Sequence, residues 1–369
     1  MSYRILGEGF VSRRQPGTPT SAALGPRSAL TRDGEIICVF GVQSDLGKND
    51  FRPLLARSRD GGTTWTEAVP IWPDSYHQKF SVCSSISATA DGDLLLFGFR
   101  IPVGVLGEPY WSDETHGLKQ NELVWSRSRD NGVTWDLPMV IPMPIPGSAE
   151  SPCAMFLTSR GTLICCYSPY NTFDPNLKVE KNQVIFMASD DDGRTWRHNA
   201  MLRFANTESL GAEAWVVELA DQRLLGAGWH IQGDVDPMNP YALSSDGGVT
   251  WTPTLSTGIR GQSIALTPLP DGRVLMVYNQ RKHGPVGVWL AVANPTPKDF
   301  GIQHNEQVWK AEISSQKPTA KGADDMQAWT SFAFGEPSAL LLRDGTVLVT
   351  LWCQQPSGYG IRYVKLALS

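Results

Sequence analysis

Residues 58–65 read SRDGGTTW, and the same pattern returns three times: SRDNGVTW at 128–135, SDDDGRTW at 189–196 and SSDGGVTW at 244–251. The aspartate in each copy can accept hydrogen bonds from the backbone N–H groups that follow it, and the glycine can take the positive φ of a tight turn without a Cβ penalty. The hydroxyls close the turn, and the tryptophan buries a large surface against a neighbouring element. Each octapeptide therefore reads as a hairpin loop with a tryptophan anchor. Its carboxylate is occupied by the backbone, which makes it structural and not catalytic.

Between the octapeptides lies a second repeat. SALTRDGEIICVF, SISATADGDLLLFGF, AMFLTSRGTLICCY, WVVELADQRLLGAGW, IALTPLPDGRVLMVY and SALLLRDGTVLVTLW each join two apolar strands through a tight turn. The turns recur every 50 to 73 residues, and nothing between them sustains a 3.6-residue period. Six units of about four strands predict an all-β, six-bladed β-propeller formed as a single domain over residues 1–369. The last unit ends at GIRYVKLAL, so residues 2–13 are expected to supply its outer strand and close the ring.

The bulk properties exclude several classes. A net charge of −5 and a pI near 5.7 give no basic field for a phosphate backbone, so nucleic acid is excluded as a partner. Most of the six cysteines sit in apolar runs such as IICVF and LICCY, without CxxC spacing, and read as small buried hydrophobes. No run is long enough to span a bilayer and the N-terminus lacks a signal-peptide pattern, so no membrane and a cytoplasmic setting are expected. No HExxH, EF-hand or phosphate-cradling loop appears, hence no cofactor and no metal. DVDPMN at 234–239 offers only loop carboxylates.

Four S-x-D-x-G-x-T-W octapeptides on six hairpin repeats resemble the Asp-box, or BNR-repeat, sialidase superfamily over essentially the whole chain. The resemblance implies the propeller, with a site at the mouth of its central channel. It also implies residue roles. Glu213 in EAWVVELADQRLL matches the glutamate that activates the nucleophile in sialidases, and Glu336 in GEPSALLLRDG falls where their nucleophilic tyrosine stands. The loop SDLGKND corresponds to the one carrying their acid/base aspartate, which leaves Asp45 and Asp50 as candidates. The arginine triad that grips the sialic acid carboxylate is not matched: its first position falls on Leu24, beside Arg27, and its second near Trp229 and His230, while Arg281 is the nearest candidate for the third.

The hairpin ends carry the remaining candidates. Carboxylates, cations, amides and aromatics converging on one end of a ring of strands suit a sugar. Substrate contacts are expected from Arg27, Arg100, Glu150, Tyr170, Trp229, Arg260, Gln262 and Arg281. Glu213 and Glu336 form the base or nucleophile pair, and Asp45 or Asp50 is the proton donor. If the two glutamates face one another, their like charges should leave one protonated. The insertion RIPVGVLGEPYWSDETHGLKQNE is expected to wall the pocket. The leading expectation is a glycoside hydrolase taking an acidic or modified sugar other than ordinary sialic acid, with a small-molecule or oligosaccharide substrate. A uronate lyase using His230 or His283 as base, and a sugar-binding propeller without chemistry, are the alternatives. The sequence carries no signal for oligomeric state.

Overall fold

The computed structural model describes residues 3–150, 153–317 and 328–368. Six antiparallel sheets form the blades of a six-bladed β-propeller. From the channel outward, the first blade runs Ala22–Leu30, Ile36–Gln43, Arg52–Ser58, Val69–Pro70, and the second Phe80–Ala88, Leu94–Pro102, Glu122–Ser128, Met139–Ile141. In the third, Ser148–Glu150 and Phe156–Leu157 both pair with Leu163–Tyr170, followed by Gln183–Ser189 and Arg197–Arg203. The fourth is Leu210–Glu218, Leu224–Ile231, Pro240–Ser244, Leu255–Ser256, and the fifth Gln262–Pro268, Val274–Gln280, Gly287–Ala293, Ile302–Lys310. The sixth joins Phe334–Leu341, Thr346–Gln355 and Gly358–Leu368 to the N-terminal strand Tyr3–Arg14, so the ring is closed by both ends of the described chain.

The second strand of a blade lies between two others and between two neighbouring blades. It is accordingly apolar on both faces: every residue of Ile36–Gln43, Leu163–Tyr170 and Val274–Gln280 is buried. The cysteines of IICVF and LICCY fall here and are buried, and among the described residues no cysteine is disulfide-bonded.

The octapeptides behave as their residue types require. Asp60 accepts the Thr63 and Thr64 amides at 3.0 and 2.9 Å and the Thr64 hydroxyl at 2.6 Å. These bonds hold its carboxyl down to about 2, the Thr64 hydroxyl contributing most. Asp130, Asp191 and Asp246 repeat the arrangement. The glycine two residues after each aspartate has two reasons to be glycine. Gly62, Gly132, Gly193 and Gly248 all take positive φ, and each packs against the preceding blade, on Leu348, Ile37, Trp125 and Phe186 respectively. A Cβ on Gly193 would stand 2.5 Å from the Trp125 ring. The octapeptides thus set blade-to-blade spacing as well as closing loops.

A candidate active site at the channel mouth

Four innermost strands share a local irregularity, and in two of them it carries a glutamate that lines the channel mouth. Register shifts interrupt pairing between Leu24 and Arg27, Ala212 and Trp215, Gln262 and Ile264, and Gly335 and Ser338. At each shift one residue takes a left-handed conformation: Gly25 at φ 58°, Glu213 at 45°, Ser263 at 55° and Glu336 at 44°. A β-bulge of this kind re-aims a side chain, and for a non-glycine residue the conformation costs about 1–3 kcal/mol. Two glutamates therefore hold strained backbone at equivalent places in blades 4 and 6.

Both line one cavity together with Glu150. Its other walls are largely apolar and aromatic, including Leu24, Phe99, Trp229, Phe332 and Trp352, and the empty space among them, open solvent included, is about 910 Å³. The blade 2 insertion contributes Tyr110, Trp111 and Leu118, as its length and composition suggested. Its Glu108 is occupied elsewhere, paired with Lys119 and accepting from Asn49 and the Gly104 amide.

The three carboxyls differ in how they are held. Glu336 Oε2 accepts the Gly25 amide at 2.7 Å, and Glu150 Oε2 accepts the Glu213 amide at 2.7 Å. In both cases a bulge residue at positive φ donates to the carboxylate of the preceding blade. The equivalent bulge next to Glu213 is Ser263, and Glu213 Oε2 has no hydrogen-bond partner among the described residues. Enclosure by protein on every side but the cavity raises all three groups. Glu213 is pushed up to about 8 by burial and then by the charge of Glu336, against the opposing pull of Arg281 and Arg27. Glu150 is raised well above the usual carboxylate range by burial and by Glu213, and Glu336 is raised by burial while Arg27 and the Gly25 amide pull it back.

The two arginines nearest these carboxyls are braced by the main chain. Arg27 is almost completely enclosed, donates from Nη1 to the Pro26 and Glu336 carbonyls at 2.8 Å, and stacks 5.2 Å from the Trp215 ring centroid. It stands among the protein groups and does not line the cavity. Arg281 does line it, stacked 3.8 Å from the Phe332 centroid and donating from Nη2 to the Phe334 carbonyl at 2.7 Å.

Several expected contributors stand outside this lining. Asp45 is exposed and accepts the Leu46 amide at 2.9 Å, and Asp50 accepts the Ser44 amide at 3.2 Å. Their loop turns Leu46 and Phe51 into the cavity instead, because the apolar residues gain burial that the carboxylates would lose solvation to match. His230 stacks on Phe204 at 4.4 Å with Nε2 3.0 Å from the Ser209 hydroxyl, and burial lowers its pKa. His283 pairs with Asp236, which also accepts from Gln262 at 3.2 Å. Arg100 is bonded to Glu122 at 2.8 Å, Arg260 is exposed, and Tyr170 is buried in a cluster with Phe51, Phe99 and Tyr110. Trp329 and Phe332, not singled out from the sequence, are part of the wall. The aromatic run AWTSFAF just before the last hairpin was the available signal.

The profile of the BNR repeat-like domain family matches residues 55–304. No curated protein matches the chain in sequence. Among solved structures, a protein of unknown function from Dyadobacter fermentans aligns at 21% identity with a TM-score of 0.76, covering 100% of this chain and 99% of that one. The NanB sialidase of Streptococcus pneumoniae aligns at 14% identity and 0.64, covering 98% and 70%, and an α-L-arabinanase of Penicillium chrysogenum, complexed with arabinobiose, at 15% and 0.64, covering 98% and 98%. At these identities the likeness is one of fold.

Proposed function

Because the chain belongs to the BNR repeat-like domain family, whose fold it shares with several glycosidases, we propose that it is a glycoside hydrolase acting in the cavity lined by Glu150, Glu213 and Glu336. The observation that carries this reading is the unequal holding of the three carboxyls. Glu336 accepts the Gly25 amide and is drawn back by Arg27, whereas Glu213 Oε2 has no hydrogen-bond partner among the described residues and is pushed up to about 8. Glu150, although it accepts the Glu213 amide, is raised well above the usual carboxylate range by burial and by Glu213.

That inequality assigns the roles. Glu213 carries the proton and gives it to the departing glycosidic oxygen as the C–O bond breaks, and Glu336 supports the positive charge developing at the sugar carbon. A water then forms the new C–O bond at that carbon and returns its proton to Glu213. A carboxylate at the position of Glu336 needs no base to activate it, which leaves Glu213 available as the acid. In this assignment the acid is Glu213, in place of Asp45 or Asp50, whose carboxylates bond to nearby backbone amides. Glu150 positions Glu213 through its amide. Arg27, bonded to the Glu336 carbonyl, offsets the buried negative charge.

The test is release of reducing sugar from a broad panel of glycosides by the parent protein and by Glu213→Gln and Glu336→Gln. Both variants should lose turnover while keeping the parent circular dichroism. Unchanged turnover in both would sink the hydrolase reading, and a product absorbing in the near ultraviolet would point to elimination instead.

A further inference from the structure

Behind the cavity wall stands a residue that reaches two of its charged groups at once. Resting on the hydrolase reading, we infer that Asn279 is a positioning residue for that reaction: its buried side-chain carbonyl holds the Glu336 bulge and the Arg281 guanidinium in one fixed arrangement.

The bulges show how. Two bulge amides are received by a side chain of the preceding blade, Gly25 by Glu336 Oε2 and Glu213 by Glu150 Oε2, each at 2.7 Å. The bulge at Glu336 follows the same rule, and its acceptor comes from blade 5. Asn279 lies on the second strand of that blade, Val274–Gln280, fully buried and opposite Gln262. Its amide group is oriented by what it meets. The Glu336 N–H and Arg281 Nη2 are both donors, so the carbonyl oxygen faces them, at 3.3 and 3.1 Å. One oxygen with two lone pairs therefore ties the strained backbone of Glu336, at φ 44°, to a cation that lines the cavity.

Other bonds place the rest of Arg281. Its main-chain N–H donates to Gln262 Oε1 at 3.0 Å, Nε and Nη2 donate to the Phe334 carbonyl at 3.3 and 2.7 Å, and its plane lies against Phe332. These contacts anchor the guanidinium to blades 5 and 6, and Asn279 sets its place relative to the Glu336 backbone. A neutral amide does so without adding charge, which leaves Arg281 to favour the ionised forms of Glu213 and Glu336. Asn279 does not itself line the cavity, so its effect on a sugar runs through these two neighbours.

The test uses the full chain carrying Asn279→Leu, which removes the acceptor at similar volume, or Asn279→Asp, which keeps an acceptor at the same reach. On a glycoside that the parent hydrolyses, Asn279→Leu should lose about 20- to 100-fold in kcat with KM within about threefold, and Asn279→Asp should stay within about fivefold of the parent in both. Asn279→Ala reads the same loss where Asn279→Leu does not fold. Crystal structures of the variants read the claim without turnover: Glu336 and Arg281 should keep their places in Asn279→Asp and separate in Asn279→Leu. Turnover within twofold of the parent in Asn279→Leu, equal losses in the two variants, or a Glu336–Arg281 arrangement unmoved in Asn279→Leu would overturn the inference. Unchanged turnover in Glu336→Gln counts against the hydrolase reading alone, and the crystal structures then decide whether Asn279 holds the pair.

Discussion

Replacing Glu213 with glutamine should flatten the pH dependence of stability. In the unfolded chain this side chain ionises near 4.5, whereas in the cavity it is pushed up to about 8. Between those values the native protein holds a proton that the unfolded chain has released. The stability contributed by the protonated group is thus complete below about 4.5 and is lost as the pH rises towards 8. From 4.5 to pH 7 the difference corresponds to roughly 3 kcal/mol, at about 1.4 kcal/mol per pH unit. Glu150 and Glu336 act in the same sense, since both are raised by burial. Urea unfolding of the parent and of Glu213→Gln at pH 5 and pH 7.5 measures the effect. The parent should lose about 3 kcal/mol more than the variant over that interval. Parallel losses would show that Glu213 is ionised in the native cavity and would refute the electrostatic reasoning.

Three further outcomes are expected from the same geometry. Gly193→Ala places a Cβ 2.5 Å from the Trp125 ring at a residue with φ 81°, and should destabilise by about 2–4 kcal/mol in thermal or urea unfolding. Asp45→Asn and Asp50→Asn, whose carboxylates bond to the Leu46 and Ser44 amides, should keep turnover within about twofold of the parent, against a loss of about a hundredfold or more for Glu213→Gln. Arg27→Met leaves Glu336 without its main counter-charge and should cost about 3–5 kcal/mol by urea unfolding at pH 7.5, and less as the pH is lowered and the raised Glu336 carboxyl takes up a proton.

The fold was legible because its signals are local and repeated. Tight turns on Asp33-Gly34 or Asp271-Gly272 and the octapeptide loops declare themselves within a few residues, and ring closure by Tyr3–Arg14 comes from counting strands. The site was only partly legible. Glu150, Glu213, Trp229, Arg281 and Glu336 stand at hairpin ends, where the repeat alignment finds them. At 44–51 the sequence draws attention to the aspartates as proton donors, while the folded loop puts Leu46 and Phe51 in the cavity wall. Arg27 sits next to a channel position in sequence, yet the bulge at Gly25 and Pro26 sends its side chain among the protein groups. No local pattern announces a bulge without a glycine, so the strained backbone of Glu213 and Glu336 became visible only in three dimensions.

The assignment of Glu213 as the proton donor and Glu336 as the charge-stabilising carboxylate is the central claim. Its most direct test is the dependence of turnover on the leaving group in the two glutamine variants, using a glycoside that the parent hydrolyses. Glu213→Gln should lose activity on an alkyl glycoside yet keep much of it on the dinitrophenyl glycoside, whose leaving group needs no proton, while Glu336→Gln should lose both. Equal loss on both leaving groups in Glu213→Gln would contradict the account.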